Sequence, residues 1–401
     1  MIIDSIVREL PSLTLQILSD QILNFLTNLF FFVAIYILIT TALNIQYGYT
    51  GIPNFGLAFG VAIGAYATGY FPIRILYYGF FEEISSRVAE RCPQIFEDPE
   101  TALTGTCNIW INFEMTRILE NDPVLSTGLL IFTLFVAVAA GALMGLLASL
   151  PAIRLRVDFL MMSLIAIAEG VRIIGMNYQP IAGGTLGIQI PSFTRWMSIS
   201  YGIDAVQQNL LLITTVSIVA MAVTVYMLRS PYGRLLKAVR ESEDAALAVG
   251  ININRVKVEA MVIGTALAAL AGALYSLYSG TVLPTSYTRY DWTFWPWLML
   301  LMGGRGSELG AVLGATGIMA LRRVISVYKH VFTGLIPFDV VWLERIAMGI
   351  AFLLVMIYRP YGLIPEKPFR LKEIHSLPAV EGYQKVRREG RLSRILGRLR
   401  R

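Results

Sequence analysis

Residues 124–150 read VLSTGLLIFTLFVAVAAGALMGLLASL, and no Asp, Glu, Lys, Arg or His interrupts them. A helix of about 20 mostly apolar residues crosses the hydrocarbon layer of a bilayer. This run has that length and stops at Pro151. No alternating ten-residue pattern, the mark of a membrane barrel, accompanies it. Outward from it the same reading repeats. Ile22 to Leu43 is uncharged, and Phe55 to Phe81 is apolar and rich in glycine, with Pro53 before it and Pro72 inside it. Phe159 to Tyr178 is broken only by Glu169 and Arg172. Asn209 to Leu228, Val258 to Ser279 and Arg345 to Tyr358 are further clear spans. Trp292 to Met302 and Leu309 to Leu321 are shorter, with Gly303, Gly304 and Gly306 between them, and Leu10 to Gln21 is a candidate re-entrant piece. The expected fold is an all-α polytopic membrane protein, a helical bundle of about nine to ten transmembrane helices with broken or re-entrant segments.

Composition agrees. Of 401 residues, 56% are hydrophobic and 15% charged, against about 25% charged in soluble domains. The mean hydropathy is +0.63. A soluble, disordered or disulfide-dense chain is excluded.

Lys and Arg beside the spans set the orientation. Residues 229–257 carry six of them, Arg229, Arg234, Lys237, Arg240, Arg255 and Lys257, and residues 359–401 carry twelve. Arg154 and Arg156 follow Pro151. These three segments are expected in the cytoplasm. Loop 82–122 has nine acidic residues against three arginines and is expected outside. Nine spans place the N-terminus outside, and a tenth places it inside. Residues 1–21 form an N-terminal segment with one Arg and no basic n-region, so no cleaved signal peptide is expected. The membrane-spanning body is expected at 22–358 and a basic cytoplasmic tail at 359–401. In the tail, Leu392, Ile395, Leu396 and Leu399 have helical spacing among arginines. That is the pattern of a basic helix lying on anionic lipid, not of a nucleic-acid site; a frayed, solvated tail is the alternative. Cys92 and Cys107 both lie in the outer loop, either as a disulfide or as two free thiols.

Several chemistries are missing from the sequence. No Gly-Lys dipeptide exists, so there is no phosphate-binding loop of the Gly-Lys-Ser/Thr kind. His330 and His375 are the only histidines, and no Cys or His cluster has metal-ligand spacing. No Gly-x-Ser-x-Gly elbow is present. No metal, no cofactor and no catalytic residue are expected, which favours transport over an intramembrane enzyme.

The most informative loop is 229–257, RSPYGRLLKAVRESEDAALAVGININRVK. Its pattern predicts a helix from about Leu235 to Val249 with Gly250 as its C-cap. On a continuous helix Leu236, Val239, Ala246 and Leu247 share one side, with Glu243 in its middle. A carboxylate there suits a helix that enters a partner's groove. A plain membrane-surface helix is the simpler alternative.

Glu243-Asp244-Ala245-Ala246 with Gly250 resembles the Glu-Ala-Ala loop of ABC importer permeases. SPYGRLLKAVRE at 230–241, followed by Gly250-Ile-Asn, resembles the permeases of branched-chain amino acid importers of the Liv type. LNIQYGYTG at 43–51 with Gly64-Ala-Tyr, PAIRLR at 151–156, Gly183-Gly184 with Gly187-Ile188, GGRGS at 303–307 with Gly310 and Gly314, and YRPYGL at 358–363 resemble the same family in the same order. The resemblance covers about residues 40–365. It departs at Asn54-Phe55-Gly56-Leu57, where the family often has Ser-x-Gly-His, in the acidic stretch of loop 82–122, and past Pro368. The family implies a subunit in the cell membrane with a second, homologous permease, two ATP-binding subunits docked at Glu243, Asp244, Ala245, Ala246 and Gly250, and an extracellular solute-binding protein. It also implies a hydrophobic amino-acid substrate. Carriers of urea or short amides resemble this group as well. A stand-alone secondary carrier should show inverted repeats, and none is evident.

Three segments are candidates for the translocation path. The first is 44–60, where glycines and Pro53 interrupt a helix, Asn44, Thr50 and Asn54 offer polar groups, and a helix restarting near Phe55 would aim its amides at a carboxylate. Gly56, Gly60 and Gly64 there also have the spacing of close helix packing. The second is Glu169 with Arg172, three residues apart on one face: either a polar point on the path or a self-neutralised pair. The third is 280–297, with Pro284, Ser286 and Asp291. There Trp292, Trp295 and Trp297 read most simply as an interfacial belt, the alternative being a lining for leucine-like side chains.

Overall fold

Inside a bilayer every backbone amide and carbonyl must find its partner within the protein, which restricts spanning segments to helices or closed barrels. The computed structural model describes residues 25–96, 98–332, 340–359 and 362–366, and it shows the helical solution. The N-terminal segment 1–21, with its candidate piece Leu10–Gln21, and the tail helix at Leu392–Leu399 lie outside the described residues. Residues up to Pro365 form one compact unit and those from Glu366 a second. The following concerns the first.

Helices α1 (Phe25–Tyr49), α2 (Ala58–Gly79), α3 (Phe81–Val88), α4 (Pro99–Thr104), α5 (Asn108–Asn121) and α6 (Pro123–Arg154) come first. Then follow α7 (Val157–Asn177), α8 (Gln179–Ala182), strand β1 (Ile188–Gln189), α9 (Trp196–Tyr201), α10 (Ala205–Arg229), α11 (Pro231–Glu241) and α12 (Glu243–Ala248). The last are α13 (Ile253–Ser279), strand β2 (Thr281–Val282), α14 (Trp295–Gly303), α15 (Glu308–Phe332) and α16 (Val340–Tyr358). Among the described residues seven helices are long and apolar enough to cross a membrane: α1, α2, α6, α7, α10, α13 and α15 up to Ser326. The protein is an all-α membrane protein. Its only sheet among the described residues pairs β1 with β2, Ile188 opposite Val282.

The centre of the bundle is α13, held between α2 and α6. Without a hydrophobic drive between helices in lipid, association depends on close packing, and small residues permit it. A Cβ on Gly64 would collide with the Ala269 carbonyl, one on Gly272 with the Val61 carbonyl, and one on Gly141 with the Ala269 side chain. The glycine ladder Gly56, Gly60 and Gly64 is therefore a packing face, against Leu164, Thr265 with Ala268, and Ala269 in turn. By contrast α10 leaves Leu211, Ile218, Val223 and Tyr226 exposed, a face for lipid or another subunit.

Loop 82–122 is folded. Asp122 caps α6 by accepting the Val124 and Leu125 amides, both at 3.1 Å. Asp98 caps α4, and the Thr101 hydroxyl and amide beside it lower its pKa below the ordinary carboxylate value. Arg74 of α2 pairs with Glu100 of α4. Cys92 and Cys107 are joined, with Cα atoms 5.8 Å apart and a sequence separation of 15. A loop of that length contributes about 3 kcal/mol by restricting the unfolded chain. Cys92→Ser with Cys107→Ser is accordingly expected to speed proteolysis between α3 and α5 while leaving the spans resistant. Equal cleavage rates with and without the bond would show that the cross-link adds nothing there.

The three tryptophans expected at an interfacial belt are buried instead: Trp292 and Trp295 are 3% exposed and Trp297 7%. Tryptophan is amphipathic and serves a wet boundary or a core with a hydrogen-bond partner equally well. Trp297 takes the second role, its indole N–H donating to the Asn54 carbonyl at 3.0 Å.

Candidate coupling surface and translocation path

The 229–257 element begins at Ser230, whose hydroxyl accepts the Tyr232 amide at 3.2 Å, with Pro231 in the first helical position. Helix α11 then buries Gly233, Leu236 and Val239. The expected single helix over Leu235–Val249 is in fact two. Ser242 is extended, at φ −160° and ψ 112°, and its hydroxyl caps α12 by accepting the Ala245 amide at 3.2 Å. A serine that can bond the backbone ahead of it competes with continuing the previous helix. The break resets the phase between the two halves, so the continuous-helix pattern fails beyond it. Ala246 is buried as expected, but Leu247 is 57% exposed and Val249 81%. Glu243 is not at the middle of a buried face: its carboxylate is half exposed and pairs with Lys257 at 2.9 Å. Asp244 and Ala245 are exposed. Gly250 ends the turn in the left-handed region at φ +85°, where a Cβ would be strained.

This element is fastened to α1. Arg240 of α11 donates from Nη1 to the Gly48 carbonyl, and Lys237 sits 4.6 Å from the Tyr49 ring centre. Arg240 also pairs with Glu241 at 2.7 Å and holds that carboxyl below its usual pKa.

The end of α1 that Arg240 grips is wound wide, as a π-helical turn over Asn44–Tyr49. Such turns leave backbone groups out of the ordinary ladder and recur at functional sites. Here side chains fill the gaps. The Asn44 carbonyl oxygen accepts the Gly306 amide at 2.9 Å, and its amide nitrogen donates to the Ser307 carbonyl at 3.2 Å. Gln46 donates to the Met261 carbonyl and to Thr265, both at 3.3 Å, and accepts from Asn54 at 2.9 Å. Thr50 donates to the Ile45 carbonyl at 2.9 Å. Phe55 stacks on Trp297, ring centres 4.4 Å apart. Helix α2 restarts at Ala58, and its first amide is taken by the Thr293 hydroxyl at 3.1 Å. Asn44, Thr50, Asn54 and Phe55 thus come together in one buried region that ties α1 to α13, α14 and the 303–307 glycine loop. Their polar groups are occupied by protein partners.

Glu169 and Arg172 form a separate cluster. The Arg172 Nε donates to Glu169 at 3.0 Å, and Arg289, from the segment before α14, reaches the other carboxylate oxygen at 3.2 Å. Beside it lies an apolar cavity of about 850 Å³ between α2, α6 and α7, and Tyr66, which lines it, keeps its buried hydroxyl without a hydrogen bond among the described residues.

Sequence reading missed four residues. Gln46 and Arg240 are single polar residues at a helix end and in a basic loop, with no local sign of their partners. Arg322 and Arg323 follow the apolar stretch that ends at Leu321 and read as its flank, but α15 continues through them to Phe332. Two adjacent guanidiniums at the end of an apolar run were the available signal.

A polytopic bundle of long apolar helices with a capped element fastened to α1 defines an all-α membrane protein. The profile of the family described as branched-chain amino acid transport system / permease component matches residues 25–356, and the chain belongs to that family. It is 33% identical over 341 residues to the probable branched-chain amino acid transport permease protein LivM of Methanocaldococcus jannaschii, across 83% of this chain and 91% of that one. It is 29% identical over 258 residues to the high-affinity branched-chain amino acid transport system permease protein LivM of Salmonella typhimurium, across 59% of this chain and 57% of the relative. The LivH permease of the same organism is 28% identical over 168 residues, 40% of this chain and 53% of its own. No solved structure matches. The protein is a multi-pass protein of the cell membrane.

Proposed function

We propose that this chain is one of two permease subunits of an ABC importer for branched-chain or other hydrophobic amino acids. It docks an ATP-binding subunit through α12 and Gly250. The observation that carries this reading is the α11–α12 element: a short capped helix with its apolar Leu247 and Val249 turned outward beside Glu243 and Asp244, and fastened to α1 through Arg240. Exposed apolar side chains ringed by polar ones suit insertion into a partner groove. Two ATP-binding subunits, a homologous permease and an extracellular solute-binding protein complete the assembly. The permease body is 22–358, with 229–257 inside, 82–122 outside and 359–401 as a cytoplasmic tail on lipid. With α16 and the short α14 added to the seven long helices, the crossings come to nine. Closure of the ATP-binding subunits displaces α12, and the α1 turn at Asn44–Tyr49 passes the displacement to the path lined in part by Glu169 and Arg172. The protein acts as a two-state element biased by nucleotide.

The test is capture of the ATP-binding subunits by detergent-purified protein. The wild type is expected to retain them. Leu247→Asp with Val249→Asp is expected to weaken capture at least about 30-fold, the equivalent of about 2 kcal/mol for a lost interface anchor. Glu243→Arg is expected to weaken it as well. Folded wild type that captures no ATP-binding subunit would overturn the assignment. Equal capture by all variants would move the docking surface elsewhere.

A further inference from the structure

The outer half of the fold holds a second charged cluster, apart from Glu169. Glu308, at the start of α15, contacts Arg229 at 3.3 Å and Tyr49 at 3.2 Å, which places that end with the basic cytoplasmic loop. Arg322 and Arg323 lie 14 and 15 residues further on. At 1.5 Å per residue that is about 22 Å, in the outer part of an about 30 Å layer. Guanidiniums at such a depth are costly and by default mark a ligand or ion pathway.

They border a half-open cavity of about 410 Å³ lined by α1, the end of α13, the 285–292 segment and α15. The size is that of a small-molecule site. Among the described residues on its wall, Asp291, Arg322 and Arg323 are the ones that carry charge at neutral pH. Asp291 and Arg322 satisfy each other. Arg322 Nη2 reaches Asp291 Oδ1 at 3.2 Å, Thr288 donates to Oδ2 at 2.8 Å, and Arg322 Nη1 donates to the Tyr36 hydroxyl at 3.4 Å. Tyr36 in turn donates to the Asp291 carbonyl at 3.1 Å. That network neutralises one positive charge and leaves one. Arg323 keeps its buried Nε without a hydrogen bond among the described residues, and its guanidinium stands 5.7 Å from the Phe32 ring. The remaining wall is apolar where Phe32, Trp292 and Met319 meet, and bears hydroxyls at Thr285 and Ser286.

We propose that this cavity is the point on the chain where the amino-acid cargo is recognised, an inference that rests on the permease reading above. The cargo's α-carboxylate completes the arginine site at Arg323. Its ammonium meets Asp291, whose carboxylate oxygens each keep a second acceptor position, and the hydroxyls of Thr285 and Ser286. Its aliphatic side chain lies on Phe32, Trp292 and Met319. Arg322 and Tyr36 position Asp291 and do not themselves touch cargo. One surplus guanidinium beside one carboxylate suits a neutral amino acid. A second carboxylate on the cargo would have no cation left to meet, and a basic side chain would add a cation to a wall that is already net positive.

The experiment uses the complete importer in proteoliposomes and follows radiolabelled leucine. Wild type is expected to accumulate leucine. Arg323→Gln is expected to raise the apparent KM for leucine at least tenfold, with Arg323→Lys recovering part of the loss, while capture of the ATP-binding subunits stays at the wild-type level. Met319→Ala enlarges the apolar wall and is expected to shift competition from leucine toward phenylalanine, a change that a purely structural role for the pocket would not produce. If wild type takes up no leucine, the permease reading itself fails, whatever the variants do. If wild type transports and Arg323→Gln leaves KM unchanged, the cavity is not the recognition site. If the Arg323→Gln effect disappears in vesicles of phosphatidylcholine alone, the arginine serves an anionic lipid and the proposal is overturned. Should Arg323→Gln fail to fold, the Met319→Ala selectivity decides: an unchanged leucine-to-phenylalanine ratio sinks the proposal.

Discussion

Gly272→Val is expected to give no monodisperse protein on size exclusion in mild detergent, whereas Gly128→Val behaves as wild type. A Cβ at 272 meets the Val61 carbonyl, carbon and Cα of α2, all backbone atoms that no rotamer change can move aside. At 128 nothing lies within 4 Å. Overpacking a core by a methylene or two typically costs about 1–3 kcal/mol because side chains give way. Here the helices themselves must separate. Separation of α2 from α13 also breaks the Gly64 contact with Ala269 and pulls on Gln46, which bonds α13 at Met261 and Thr265. The loss is therefore larger than that of an ordinary core substitution. Equal yields of the two variants would mean that α2 and α13 do not approach as closely as described.

Arg240→Gln is expected to uncouple the proposed importer without disassembling it. The residue lies in α11, one helix before the proposed docking helix α12, and its bond to the Gly48 carbonyl joins α11 to the wide turn of α1. A charge-assisted bond to a carbonyl is worth about 1.5–3 kcal/mol, so a state that depends on it loses roughly tenfold to a hundredfold in population. Capture of the ATP-binding subunits should persist, because Leu247 and Val249 remain in place. Leucine carried per ATP hydrolysed should fall at least about tenfold. A double-mutant cycle with Asn44→Leu separates transmission from local damage. Non-additive losses place both residues on one coupled element, and strictly additive ones do not. An unchanged transport-to-hydrolysis ratio in Arg240→Gln would remove Arg240 from the mechanism.

Much of the fold was legible because a bilayer imposes a simple rule on sequence. The uncharged runs around Ile35, Val136 and Val216 fall in α1, α6 and α10, and the glycines at 56, 60 and 64 announced a packing face. In the 229–257 element the end at Gly250 was legible, whereas the start at Ser230-Pro231 was placed too late, near Leu235. What failed did so for physical reasons. A helical pattern assumes an unbroken 100° step, and Ser242 breaks it, which turns Leu247 outward and removes Glu243 from the buried side. Apolar windows do not tell a tryptophan in a core from one at a water boundary, so Trp292, Trp295 and Trp297 were assigned to the wrong environment. Asn44 and Asn54 were legible as polar residues in a broken segment. That their groups are occupied by Gly306, Ser307, Gln46 and Gly56 depends on partners up to 263 residues away, and no local pattern carries that.

The place of α13 at the centre of the bundle also bears on how the protein is made. Helices α2 and α6 are its flanking partners, yet the ribosome delivers α13 only after α6 is complete and roughly 100 further residues have been added, about 5–20 s at ordinary translation speed. During that interval the glycine faces of α2 and α6 have no α13 to pack against. A chain of this design needs either a translocon that shelters early helices until a late one arrives or a provisional pairing that α13 later displaces. Ribosomes stalled just before residue 253 would hold that waiting state, and crosslinking from Gly64 or Gly141 would identify what occupies the vacant seat.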